Sequence, residues 1–299
     1  MFLLLIIIVL FISFIFRSSD TPLEINRCFE YIDSEDYHKA IEVGQQAVSL
    51  YPKNSDAYFC LGRAYFELRE FNKALTNMKE AERLTSEKED LMHIYNMLGV
   101  IYNGIGDLDN ALFYLNKSLA LSKDLEDLEL ESLTLNNIAE TYFKKGMLDK
   151  AFEYSKESLE ILTNEKYKAT IYNNIALIYG KKGDYSKAVE YLKKAIEIDE
   201  RFGNYHGAAQ RMLNLGATYI MMKDYNNATY YLKEGLTRIQ KVGDKYWEAY
   251  AYGYLGWLYE DLGKIDLARD YFKKAYNLFS SIGAKADAEV VYSELSKLK

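Results

Sequence analysis

The sequence predicts an all-α chain in which helix pairs stack into a solenoid, and three observations carry the prediction. A small residue, an aromatic three positions on and an alanine nine further recur seven times between Thr21 and Phe279. The triples are Cys28/Tyr31/Ala40, Gly62/Tyr65/Ala74, Gly99/Tyr102/Ala111, Ala139/Tyr142/Ala151, Ala176/Tyr179/Ala188, Gly216/Tyr219/Ala228 and Gly256/Tyr259/Ala268. A fixed period of this length marks helical units that bury their apolar faces against one another. Proline occurs only at Pro22 and Pro52, so long helices run uninterrupted. Apolar residues make up 49% of the chain and follow helical spacing throughout. Such an array offers one long concave surface rather than an enclosed pocket, which points to holding another protein.

The N-terminus reads differently. Residues 2–16, FLLLIIIVLFISFIF, carry no charge. As a helix they span about 22 Å, against roughly 30 Å for a hydrocarbon core. No Lys or Arg precedes the run, and no small-x-small cleavage site follows between Phe14 and Asp20. An uncleaved anchor over residues 1–17 is therefore expected ahead of a cleaved export signal or a buried extra helix, with 18–20 as a short linker. Arg17 and Arg27 lie on the C-terminal flank. The positive-inside bias then gives a single-pass membrane protein with cytoplasmic repeats, export being the alternative.

The units start near residues 21, 55, 92, 132, 169, 209 and 249. Between Ser55 and Lys88, Tyr58, Leu61, Gly62 and Tyr65 mark a first helix, and Phe71, Ala74, Met78, Ala81 and Leu84 a second. Small residues let the axes approach closely and the aromatics fill the gaps. Turns such as Ile105-Gly106-Asp107 and Lys182-Gly183-Asp184 supply a left-handed glycine to end one helix and an aspartate to cap the next. The longer steps fall in a linker seen as Arg201-Phe202-Gly203, Lys241-Val242-Gly243 and Ser281-Ile282-Gly283. Past Gly283, an apolar stripe of Ala288, Val291, Tyr292, Leu295 and Leu298 opposes Glu289, Glu294 and Lys297. Residues 284–299 are thus expected as an amphipathic helix capping the last unit. Two positions depart from the pattern: Gly44 stands where a large apolar residue is expected, and Lys223 where a turn glycine is.

This spacing resembles the tetratricopeptide repeat, over about residues 21–283 and the cap. The resemblance implies a right-handed superhelical solenoid of about seven helix-turn-helix units. The longer units are similar to those of kinesin light chains, spindle-orientation adaptors and bacterial peptide-sensing regulators, which bind peptides or proteins. In that family ligands meet the first helices two or three residues before the small position, one after it, and near the helix start. Those positions hold Asn96, Asn136, Asn137, Asn173, Asn174 and Asn214. Asparagine is a mediocre helix former, so its recurrence on four consecutive first helices needs a reason. A side-chain amide donates and accepts, and can hold a peptide backbone; a ladder between neighbouring repeats is the alternative. Arg63 and His93, with Phe59 and Phe66, tint the early groove aromatic and partly positive. Glu140, Lys144 and Lys181 give mixed charge in the middle, and Tyr250, Tyr254, Trp257 and Glu260 make the last unit aromatic and acidic. The clamp with which one sub-class grips a terminal carboxylate is not matched: Asn137 and Asn174 are present, but the paired basic residues are not.

Other chemistry is poorly represented. A net charge of −7 disfavours nucleic acid, whose phosphates demand concentrated Lys and Arg. Cys28 and Cys60 are expected as buried free thiols, since a disulfide framework needs more cysteines. His38, His93 and His206 are far apart and lack the spacing of metal ligands. With no phosphate-binding loop and no nucleophile elbow, neither cofactor nor enzymatic activity is expected. The expectation is a membrane-tethered scaffold that takes a peptide or protein in its groove. The rivals are a self-assembling structural protein and a peptide-sensing regulator.

Overall fold

In the computed structural model, which describes residues 21–298, all regular structure is helical. The helices are α1 (Leu23–Asp33), α2 (Tyr37–Leu50), α3 (Ser55–Glu67), α4 (Phe71–Leu84), α5 (Lys88–Ile105), α6 (Leu108–Asp124), α7 (Leu128–Lys144) and α8 (Leu148–Ile161). A 3-10 turn at Glu165–Tyr167 follows, then α9 (Lys168–Lys182), α10 (Tyr185–Arg201), α11 (Tyr205–Met221), α12 (Tyr225–Val242), α13 (Lys245–Asp261), α14 (Ile265–Ser281) and the cap, α15 (Lys285–Lys297). Two compact bodies divide between Thr163 and Asn164. The first holds α1–α8 and the second α9–α15.

Several first helices begin about one turn ahead of the expected starts, because side chains cap them early. Asp127 accepts from the Leu130 amide, Asn204 from Gly207 and Asp244 from Trp247. These caps satisfy amides that no helical carbonyl can reach. Between the paired helices, one residue always takes the left-handed conformation. It is Gly106 (φ 91°), Gly146, Gly183 and Gly263 in four units, but Glu35, Arg69 and Lys223 (φ 59°) in three. The turn geometry is therefore kept even where glycine is missing, at a steric cost of about 1 kcal/mol per site.

The small position works as a socket. A β-carbon on Gly99 would lie 2.5 Å from Leu115, one on Gly216 2.6 Å from Leu232, and one on Gly256 2.6 Å from Phe272. In each case a large side chain of the second helix fills the place where a side chain of the first is missing. Unit one reverses the arrangement. Its small position holds Cys28 and the opposite position holds Gly44, where a β-carbon would lie 3.2 Å from the Cys28 sulfur and 3.2 Å from Leu61.

That sulfur is bonded. Cys28 and Cys60 form a disulfide joining α1 to α3, with Cα atoms 6.3 Å apart. This corrects the expectation of free thiols: the stack sets the two first helices side by side with both sulfurs facing the same gap. Within reach of that gap are Ile32, Ala40, Val43 and Ala64, all buried.

Tyrosine explains the other seam. Tyr102 stacks on Tyr114, Tyr142 on Tyr154, Tyr179 on Tyr191, Tyr219 on Tyr231 and Tyr259 on Tyr271, with ring centroids 5.3–5.7 Å apart. Each pair ties the two helices of one unit, and lysines lie over several rings, among them Lys150 over Tyr142 at 5.1 Å and Lys187 over Tyr179 at 4.9 Å. Units one and two carry Val43 and Asn77 at the second position and have no such stack.

Among the described residues no helix is long and apolar enough to cross a membrane. The apolar run 2–16 lies outside the described residues. The single-pass placement is corrected accordingly, and the orientation of the repeats, which rested on that span, goes with it.

Candidate peptide-binding face

The first helices bring the asparagines into rows that bond along the stack. In the first body, Asn137 Nδ2 on α7 donates to Asn96 Oδ1 on α5 at 2.9 Å, and the Thr134 hydroxyl reaches the same oxygen at 3.4 Å. In the second, Asn214 Nδ2 on α11 donates to Asn173 Oδ1 on α9 at 3.0 Å. Both pairs are 41 residues apart, one repeat plus one residue. That offset joins the amide three before a small position to the one two before the next. Asn96, Asn136, Asn173, Asn174 and Asn214 are buried, and Asn137 is half-buried. The ladder is therefore real, and it fixes the amides' orientation. One acceptor is left over: Asn214 Oδ1 is buried and without a hydrogen-bond partner.

Position 254 is the equivalent of Asn214 on α13. Its rung partner three before the preceding small position is Leu213, which offers no hydrogen bond. Tyr254 Oη is accordingly buried and unpartnered as well, and burial pushes its phenol above the ordinary tyrosine range.

Tyr250 has another duty. Its hydroxyl donates to Asp287 on the cap α15, and Tyr246 Oη donates to the other carboxylate oxygen at 3.3 Å. Phe279 packs edge-on against Tyr250 at 4.9 Å. Tyr250 thus fastens the cap and is corrected from free groove anchor to packing residue. Trp257 stays half-buried, 5.8 Å from Tyr254 and 6.0 Å from Phe272.

Arg63 and His93 are also buried, on α3 and α5. Burial drives the His93 pKa down to about 4, partly opposed by Asp127, so the ring is neutral at pH 7 and brings no positive tint. Nearby on α3, burial pushes Glu67 up to about 7, with Arg63 opposing and Glu35 adding to the shift. Of the mixed charge in the middle, Glu140 and Lys144 pair with each other, and Lys181 is exposed. Glu140 accepts from Asn103 Nδ2 at 3.2 Å and pairs with Lys144 at 3.3 Å, and burial raises its carboxyl despite that lysine.

Sequence reasoning missed a second rung in the C-terminal body. Arg211, fully buried, lies 3.4 Å from Asp199 and donates to Thr170 and Gln210 at 3.2 Å each. The Thr170–Arg211 separation is again 41, so the offset seen in the asparagines was the signal that could have found it. No group of His, Cys, Asp and Glu among the described residues could hold a metal ion.

Known proteins share this repeat. Matches to the tetratricopeptide repeat cover residues 43–76, 93–125, 130–201 and 206–281. The chain belongs to the tetratricopeptide repeat family. Among curated relatives it is 33% identical over 123 residues to the BBSome complex member BBS4 of Bos taurus, covering 41% of this chain but only 22% of that protein. Among solved structures it is similar to a Rap protein complexed with Competence and Sporulation Factor (TM-score 0.70, 18% identity, 92% of this chain and 85% of that one). It is also similar to the Rap conjugation gene regulator of plasmid pLS20 in complex with the Phr* peptide (TM-score 0.69, 17% identity, 89% and 75%). At these identities the likeness establishes the tetratricopeptide solenoid fold and no more.

Proposed function

We propose that the chain is a binding scaffold that takes an extended peptide segment of a partner on its first helices, the partly open Asn137 amide meeting the peptide backbone. The observation that carries this reading is Asn137 in the first body, whose Nδ2 is held by Asn96 Oδ1 while the side chain stays partly open. Asn214 is fully buried and braces its own rung, whereas a peptide N–H can reach an amide that remains partly open and can accept as well as donate. Rigid, pre-oriented amides also reduce the ordering cost of binding. The Rap conjugation gene regulator of plasmid pLS20, solved in complex with the Phr* peptide, supports the reading by analogy of fold. The half-buried Trp257 beside Tyr254 supplies an aromatic anchor of the kind that dominates such interfaces.

The test selects peptides against the full chain from a random library and compares their affinity for Asn137→Ala. Loss of at least about tenfold, equal to 1.4 kcal/mol, is expected. Unchanged affinity alongside a lowered melting temperature would show that the row only braces the repeats. Recovery of no peptide at all would overturn the reading outright.

A further inference from the structure

The first hairpin, α1–α2, is held in a way that the later units are not. It has neighbours on one side only, packing on α3 among the described residues. Like unit two it lacks the tyrosine stack, since Val43 occupies the second ring's place, and it lacks the large side chain that fills the socket in units three, six and seven, since that residue is Gly44. What occupies the socket is the Cys28–Cys60 disulfide. Its residues are fully buried, and Ile25, Ala47 and Ala57 close the layer beside it. The seam between α1–α2 and α3 otherwise combines Ala40, Ala47, Ala57 and Ala64 with Ile25, Ile32 and Val43 and a Phe29–Phe59 ring contact at 6.3 Å, and the disulfide is its one covalent tie.

We propose that this disulfide is a redox-operated clasp: oxidised, it locks the first hairpin onto α3; reduced, it lets α1–α2 open locally while the later repeats stay folded. The chemistry needs a dithiol reductant. One of its thiolates attacks a sulfur of the pair and forms a mixed disulfide. Its second thiol then displaces the protein sulfur, the reductant leaves as its cyclic disulfide, and Cys28 and Cys60 each gain one proton. Closing a span of 32 residues restricts the unfolded hairpin strongly, so the lock is lost when the bond is. Because both sulfurs are buried, attack waits for the hairpin to fray. Opening of the newly reduced unit uncovers Ala57, Cys60 and Ala64 on α3, a small-residue face that the hairpin now covers.

The experiment treats the full chain with dithiothreitol under native conditions, titrates the thiols released, and follows amide hydrogen exchange by mass spectrometry. Two thiols per chain should appear, and peptides spanning Leu23–Leu50 should exchange at least tenfold faster. Peptides spanning Lys88–Ile161 should not change. The Cys28→Ala/Cys60→Ala variant should reproduce the reduced pattern; should it fail to fold, the reduced wild-type chain decides. Release of thiols with unchanged exchange in Leu23–Leu50 would overturn the proposal, as would the absence of released thiols after prolonged native treatment.

Discussion

The first and the seventh units use one register in opposite ways. In the seventh, Gly256 on α13 is the socket and Phe272 on α14 the knob, and the rings of Tyr259 and Tyr271 stack 5.3 Å apart beside them. In the first, the first helix supplies the bulk as Cys28, the second helix supplies the gap as Gly44, and a covalent bond to α3 stands where the later units rely on packing. The comparison teaches that these two units keep a filled volume rather than a particular residue. Any pair that fills the junction between the two helices serves, and which helix provides the bulk is free to change.

The largest expected effect breaks that comparison directly. Phe272→Ala should empty the seventh socket and cost about 3–5 kcal/mol, the range for a fully buried phenylalanine. Gly44→Leu should instead overfill the first, driving a side chain against the Cys28 sulfur and Leu61 for about 1–3 kcal/mol. Thermal denaturation of the two variants checks both. If Gly44→Leu were stabilising, the junction of unit one would be under-packed and the volume argument would fail there.

A smaller effect separates the early units by pH. Folding raises the Glu67 pKa from 4.5 to about 7. The stability this group contributes is therefore full below about pH 4.5 and is lost as pH rises through 7. His93 runs the other way. Its pKa falls from 6.5 to about 4, so its contribution is full above pH 6.5 and is lost as pH falls toward 4. Glu67→Gln removes only the first. The variant's stability relative to wild type should grow between pH 4.5 and 7 and then level off, a change on the order of 1 kcal/mol. Urea denaturation at pH 5 and 7.5 measures it, and a constant difference would mean that Glu67 titrates normally in the folded chain.

Much of this was legible in the residues because the constraint is local. A small residue with an aromatic three positions on and an alanine nine further leaves few ways for two helices to meet, and the resulting hairpins follow the sequence closely. The disulfide was not legible from cysteine count. Pairing depends on whether two first helices face each other at the same height, and the clue lay at Gly44, whose missing side chain only makes sense once a sulfur fills the gap. Asparagine recurrence likewise marked the residues that form the rungs, yet whether an amide meets a ligand or the next repeat is set by an offset of 41 residues between helices. Tyr250 read as an anchor because nothing local reveals that Asp287, on the cap, reaches back to its hydroxyl.

The smallest effect sharpens the contrast at the tyrosine seam. In unit four, Lys150 lies over Tyr142, which stacks on Tyr154; in unit one, Lys39 lies over Tyr31 at 5.5 Å with no second tyrosine. A cation above an exposed ring contributes about 0.5–1 kcal/mol. Lys150→Met keeps the stem's packing and removes only the charge, so it should lower stability by about 0.5 kcal/mol. Repeating the change after Tyr142→Leu should abolish that loss, because the ring the cation addresses is gone. A loss that persisted without the ring would assign Lys150 to general surface charge, and the stacked tyrosines alone would then distinguish the later units from the first.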